Sequence, residues 1–210
     1  MKKELIIIGG GEHARVLIDT AIALSEEWDV IGFVDQMPCK STTQHFNIKK
    51  LGSDEELDAI LNKHQNANLV IGVGDISRRN KIISSLSFPE DRWANLIHPS
   101  AIIASTVILS YGIVVMSRAI IQTGAQVSEH AIINSGAVIE HDVLIGKNTH
   151  ITSGAVLGGG CSIGDNCTIG LGSRIRDRIS IGTGVTVGMG SVVVTDIPEN
   201  ETVVGVPARR

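Results

Sequence analysis

Glu140-His141-Asp142 sets an imidazole between two carboxylates, and a glycine, Gly159, lies eighteen positions further on. A histidine beside an acid is the pairing that general acid–base chemistry uses, because the acid can hold one ring nitrogen while the other moves a proton. The remaining histidines are His13, His45, His64, His98, His130 and His150. Surface and capping roles are the ordinary reading of such residues, and His45 and His64 are expected in solvent. A second group begins at Gly9-Gly10-Gly11-Glu12-His13-Ala14, directly after the apolar run Leu5-Ile6-Ile7-Ile8. Gly9, Gly11 and Ala14 fit the G-x-G-x-x-A turn, and Asp35 closes a second apolar run. Glycine lets the backbone approach a phosphate, the helix N-terminus favours its charge, and the acid can accept from a ribose hydroxyl. The same glycines also suit a plain strand-to-helix turn. The chain is short for a complete dinucleotide fold, so the group implied is a nucleotide or a sugar carried on one.

The elements that position these residues follow two different periods. From Ala101 to Asp196 every sixth residue, starting at Ile103 and ending at Val193, is aliphatic. An α-helix cannot keep such a column on one face, because six steps of 100° leave it 120° away. Short strands can, if each hexapeptide is one flat side of a coil. The small residues two positions earlier (Ala119, Ala125, Ala131, Ala137) then fit beside the aliphatic, and glycines at 146, 158, 164, 170, 182 and 188 are expected to permit the turns. Three sides per coil stack residues 18 apart, about 4.8 Å from one another. His141 and Gly159 then share an edge on neighbouring coils, where a bare Gly159 amide could face the same reacting carbonyl as the base. His150 falls half a coil round. Cys161 and Cys167 fall in the small-residue column and read as packing residues.

Before residue 99 strands and helices alternate. Strands are expected at Leu5–Ile8, Val30–Asp35 and Leu69–Gly74, with helices after Gly11, at Asp54–Lys63 with Ser53 as cap, and at Ser77–Leu86. This pattern builds a small parallel sheet with helices on it. The predicted organisation is therefore a Rossmann-like α/β domain, residues 1–98, followed by an all-β hexapeptide β-helix, residues 99–210. A net charge of −4 offers no footprint for nucleic acid. Aromatics at only 3% suit a narrow prism. The uncharged stretch Trp93–Ser117 is long enough for a membrane span, but its polar residues and its hexad phase argue against one. Three cysteines, Cys39, Cys161 and Cys167, and the short apolar run at the N-terminus point to the cytoplasm.

Gly9-Gly10-Gly11-Glu12-His13-Ala14-Arg15-Val16, Gly32-Phe33-Val34-Asp35, Ile97-His98-Pro99-Ser100-Ala101, Asn134…His141-Asp142 and Gly205-Val206-Pro207-Ala208 form a connected set. Together they resemble the bacterial sugar acetyltransferases of the sialic acid and bacillosamine type, the NeuD/PglD-like group, over essentially the whole chain. The resemblance implies left-handed coils, a homotrimer, and acetyl-CoA lying along the prism between subunits. A nucleotide-activated amino sugar would sit on the N-terminal domain. It assigns the general base to His141, its orienting acid to Asp142 (with Glu140 as a competitor), and a position near the reacting group to Asn134. His150 and Gly159 would meet the acetyl-CoA end, and Leu171 and Met189 the pantetheine. Substrate contacts would come from Gly9, Gly11, Glu12 and His13 on the first turn. Others would come from Asp35 and Gln36 after the second strand, and from Gly74 and Ser77 after the third.

The activity implied is acetyl-CoA-dependent N-acetylation of a nucleotide-linked amino sugar for surface-glycan biosynthesis, without a metal. A sugar hydroxyl, as in sialic acid O-acetylation, is the alternative acceptor, since the same base activates either. A zinc carbonic anhydrase on this fold needs three converging imidazoles, and His130, His141 and His150 step by 11 and 9 onto different sides. A scaffold without activity leaves the His-Asp pair unexplained. Arg174, Arg176 and Arg178 read as a solvated edge ahead of a cradle for a CoA phosphate.

Overall fold

The computed structural model describes residues 2–38, 42 and 46–210; Cys39 and His45 lie outside the described residues. The chain forms two compact units, Met1–Leu96 and Ile97–Arg210.

The first unit is a parallel sheet. Strands β1 (Lys3–Ile8), β2 (Trp28–Val34), β3 (Lys50–Gly52) and β4 (Asn68–Ile71) stand in the order β3-β2-β1-β4. Leu5, Ile6, Ile7 and Ile8 of the central β1 are buried, as a strand covered on both faces requires of an unbroken apolar run. Helix α1 (Glu12–Ala23) buries Ala14, Leu17, Ile18 and Ala21. It approaches the end of β4 so closely that a methyl at Gly72 would stand 2.9 Å from the Ala14 Cβ. The segment expected as one helix from Asp54 is a 3-10 turn, Asp54–Glu56, running into α2 (Leu57–Lys63). The Ser53 N–H donates to Glu56 Oε2 at 2.8 Å and starts that turn. Helix α3 (Ile76–Ser85) is capped by Asp75, whose Oδ1 accepts from the Arg78 N–H at 2.7 Å. After β1 the chain fills one side of the sheet with β2 and β3, then returns to the other side with β4. The crevice beyond the C-terminal ends of β1 and β4 is thus a topological switch point, where open parallel sheets hold ligands.

The second unit is a parallel β-helix. Two-residue strands recur every six residues from β6 (Ile102–Ile103) to β21 (Val192–Val193), with β5 (Leu96–Ile97) and β22 (Thr202–Val203) at its ends. They stack into three parallel sheets of seven, six and five strands, and the uncharged stretch Trp93–Ser117 is taken up by β5 to β8. The register is 18 residues from coil to coil, as in Ile133 beside Ile151 and Ile151 beside Ile169, and shortens to 16 only in the last coil, where Val187 pairs with Val203. The aliphatic column points inward, with Val115 through Val193 buried, and the small-residue column lies beside it. Among the described residues no helix is long and apolar enough to cross a membrane.

The corners correct one expectation. The glycines at 146, 158, 164, 170, 182 and 188 do not carry the turn; a Cβ there would strike the next coil, as at Gly146, where it would stand 2.6 Å from the Asp165 backbone nitrogen. The left-handed backbone sits in another column, every sixth residue from Gly112 to Gly190. Where that column lacks glycine it holds Asn148 or Asn166, types that accept positive φ, but also Arg118, His130, Asp142 and Arg178.

Replacing Ile151, fully buried in the inward column, by alanine should lower stability by about 2–5 kcal/mol, because a prism one side chain wide cannot collapse around the cavity. Chemical denaturation monitored by circular dichroism measures the loss.

Candidate active site

Two consecutive residues at one corner make a dyad. Asp142 has φ +58, which turns its side chain back beside His141. His141 Nδ1 lies 2.9 Å from Asp142 Oδ2. A carboxylate can only accept, so Nδ1 carries the proton and Nε2 is left with its lone pair. This hydrogen bond, together with the charges of Asp142, Glu140 and Asp177, outweighs the opposing desolvation and holds the imidazole above its ordinary pKa. Asp142, rather than Glu140, is the acid that engages the ring.

The ring lies against Gly159 one coil on. A methyl at 159 would stand 2.6 Å from His141 Nε2, so the missing side chain makes the space that the imidazole fills. The Gly159 N–H is not bare, as the sequence reading had it. It donates to Asp177 Oδ1 at 3.1 Å, and it can serve an oxyanion only by exchanging Asp177 for the substrate oxygen. Asp177 stands eighteen residues after Gly159 on the same edge, where the hexad count alone could have located it.

The other expected residues gather on a different edge. Asn134 Oδ1 accepts from the Ser135 N–H at 2.7 Å, which fixes its amide, and Asn134 Nδ2 faces His150 Nε2 at 3.2 Å. On the coils beyond, the Gly172 and Gly190 N–H groups bond back to Ser153 and Leu171, continuing the corner that carries Ser135. Leu171 and Met189 project from this corner, 51% and 76% exposed. His141, Asp142 and Gly159 thus share one edge, and Asn134, His150, Leu171 and Met189 the next. The sheet between them (β6, β9, β12, β15, β18, β21) turns Ile102, Ile120, Val138, Val156 and Val192 outward.

Of the other histidines, His130 is buried with its ring edge-on to Tyr111 at 5.5 Å, His98 Nδ1 accepts from the Ser100 N–H, and His64 pairs with Glu4 at 3.7 Å. All three support structure. Arg174 Nη1 bonds the carbonyls of Gly154 and Gly172. No cluster of metal-ligating side chains occurs among the described residues.

In the first unit the switch-point crevice has a volume of about 320 Å³ and is lined by Gly9, Gly11, Glu12, His13, Asp35 and Gly74, together with Asp75 and Arg78. Gly9 has φ +104 and presses against Val73, so only glycine fits there. The α1 N-terminus at Gly11 has no side-chain cap, whereas that of α3 is taken by Asp75. Burial, and then the charge of Arg79, push the His13 imidazole down to about 4, so it is neutral at ordinary pH. Asp35 also has a structural task. Its carboxylate is buried and accepts from the Gly10 N–H at 2.7 Å and the Met37 N–H at 2.8 Å, so it braces the glycine turn at the wall of the crevice. Ser77 is on the first turn of α3 and does not line the crevice; Gln36 lines a second cavity beside it. Arg78, which the sequence did not single out, lines both.

A hexapeptide prism with a His-Asp dyad on its edge, preceded by an α/β unit with a glycine-turn crevice, is an acyltransferase architecture. Residues 4–86 match the PglD N-terminal domain, and residues 136–162 and 161–195 match the hexapeptide repeat of succinyl-transferase, the left-handed β-helix type. The chain is similar to the acetyltransferase domain of PglB from Neisseria gonorrhoeae FA1090, solved in complex with acetyl coenzyme A. Identity is 32%, over 100% of this chain and 99% of that chain, with a TM-score of 0.87. It is also similar to PerB from Caulobacter crescentus, solved in complex with CoA and GDP-perosamine, at 33% identity over 98% and 96% of the two chains, TM-score 0.87. WeeI from Acinetobacter baumannii AYE, 22% identical over 98% of each chain with a TM-score of 0.81, shares the fold. No curated protein gives a significant match. The chain belongs to the PglD-type family of sugar acetyltransferases.

Asp142→Asn keeps the left-handed corner but removes the charge that favours the imidazolium. The His141 titration midpoint, followed by NMR of the ring protons, should therefore fall. An unmoved midpoint would show that Asp142 does not govern the ring.

Proposed function

We propose that this protein transfers an acetyl group from acetyl-CoA to the amine of a nucleotide-linked amino sugar, with His141 as general base. The observation that carries the proposal is the His141 dyad, with Nδ1 held by Asp142 and Nε2 left with its lone pair beside the Gly159 backbone. The amine attacks the thioester carbonyl while Nε2 removes its proton. Asp142 stabilises the imidazolium so formed. The tetrahedral oxyanion takes the Gly159 N–H from Asp177. Its collapse breaks the C–S bond, and the imidazolium returns its proton to the departing thiolate, so CoA leaves as the thiol and the base is reset. Transfer is direct. Cys161 and Cys167 are buried, their thiols bond to the Arg176 and Gly182 carbonyls, and burial pushes both pKa values up, so neither is suited to carry the acyl group.

The glycine-turn crevice of the first unit is assigned the nucleotide, with phosphate at the uncapped α1 N-terminus and Arg78 as its counter-charge. The similarity to PerB, solved with CoA and GDP-perosamine, supports this substrate class. Leu171 and Met189 are assigned the pantetheine arm, for which two exposed apolar side chains on adjacent coils give a track. The working form is a homotrimer. Packing the aliphatic sheet face of three copies around one axis covers Val138 and Val156 and sets the His141 edge of one copy against the Asn134–His150 edge of the next. Free, buried thiols and the use of acetyl-CoA support a cytoplasmic reaction.

His141→Ala should reduce turnover with nucleotide amino sugars by a factor of about 100 or more. Acetyl-CoA affinity, measured by calorimetry, should stay near that of the unaltered protein; retained turnover would remove His141 from the mechanism.

Val138→Glu puts a charge in the centre of the proposed subunit contact, at a cost that an apolar face cannot offset. Light scattering should show the unaltered protein as a trimer and the variant as a monomer with turnover lost. A monomeric, active parent protein would overturn the shared site.

A further inference from the structure

The family does not choose the nucleobase, and the first unit holds a second cavity that bears on that choice. Beside the glycine-turn crevice lies another of about 320 Å³, and Arg78 on the first turn of α3 lines both. Its walls are apolar on both sides, with Ile8 at the end of β1, Leu57 at the start of α2, and Ile82 and Leu86 along and just beyond α3. Its polar lining comes from Gln36, Asp54, Lys81 and Ser85, besides Arg78. An apolar slot with a few polar groups, at the lower end of the size range for ligand pockets, is the form of a site for a flat heterocycle.

Asp54 is the informative residue. It stands at the start of the 3-10 turn ahead of α2, where an acid normally caps. That work is done by its neighbours, since both the Ser53 N–H and Oγ bond Glu56 Oε2, at 2.8 and 3.1 Å. Asp54 Oδ1 is closed off from solvent and, among the described residues, receives no hydrogen bond. Burial first, and then the charge of Asp35, raise its pKa, against the pull of Arg78 and Lys50. A buried acceptor without a donor is costly to keep, and a ligand that brings donors recovers that cost on binding.

Resting on the nucleotide-sugar reading above, we propose that this cavity holds a guanine base and that Asp54 recognises its N1–H and N2–H edge. An ionised carboxylate only accepts, and its two oxygens match two adjacent donors in a bidentate pair. Guanine alone among the common bases offers two adjacent donors on that edge. Uracil and thymine flank a single N–H with two carbonyl oxygens that repel a carboxylate. Adenine and cytosine set an acceptor beside their amino group. The aliphatic walls take the faces of the ring, and Arg78, between the two cavities, is placed for the diphosphate that joins base and sugar. Rotation about the terminal Asp54 torsion, which is broad and soft, presents both oxygens to the edge.

Calorimetry on the full chain with GDP, UDP, dTDP, CDP and ADP tests this. GDP should bind at least about tenfold tighter than any other, and inosine diphosphate, which lacks the N2 amine, should lose about tenfold against GDP, one charge-assisted hydrogen bond. Asp54→Asn, with its fold checked by circular dichroism, should remove the preference for GDP while UDP affinity stays within about twofold. Inosine diphosphate equal to GDP, or UDP or dTDP at least as tight, would overturn the guanine assignment and leave the nucleotide-sugar reading in place. Acetyl-CoA binding with no nucleotide bound at all would overturn both.

Discussion

Hydrogen bonding between coils at a fixed offset of 18 residues is the constraint on which the rest of the second unit depends. Each six-residue side bonds to the sides one coil before and after it, as Ile133 pairs with Ile151. No side is stable alone, because a two-residue strand buries too little to offset its ordering. The stack supplies what the single side lacks, and it sets every functional side chain at a spacing decided by the backbone. His141 meets Gly159, and Gly159 meets Asp177, because those residues are successive members of one edge. The imidazole needs no flexible loop to position it.

Much of this was legible in the residue order. The aliphatic column has a period that no helix can satisfy, and the triangular coil then puts 141 beside 159 by arithmetic. The unbroken run Leu5–Ile8 and the glycines after it located the central strand and its turn. What escaped the sequence depends on which neighbour a polar group selects. The carboxylate at 35 is drawn inward by the Gly10 and Met37 amides, two donors that a buried turn must satisfy and that the residue order does not reveal. The Gly159 amide looked free because a glycine has no side chain, and its acceptor arrives from another coil. Strand β3 is three residues with no apolar run, so only its pairing with β2 defines it. The turn-forming column was misplaced because two sets of glycines share the hexad, one serving backbone curvature and the other clearance.

The two units differ in what each kind of architecture does well. A parallel sheet gathers strand ends and helix starts at one crevice, which suits phosphate and a heterocycle. A prism offers rigid edges and flat faces, which suit an extended thiol cofactor and repeated self-association. The neutral His13 and the basic His141 show how far the two environments differ. Burial beside Arg79 strips one imidazole of its proton, and an exposed corner with a carboxylate neighbour gives the other a stronger hold on it.

On a straight strand, residues 141 and 142 would point to opposite faces and never touch. They meet because the polypeptide reverses its local hand at residue 142. That reversal recurs along the corner column from 112 to 190, and where the position is not glycine, as at 118, 130, 148, 166 and 178, two adjacent residues both carry side chains at the rim. The scaffold therefore offers several places where two neighbouring side chains could form such a pair, and a histidine beside a carboxylate stands at one of them. Moving the chemistry by a third of a storey would take only a pair of substitutions, with the supporting wall left as it stands.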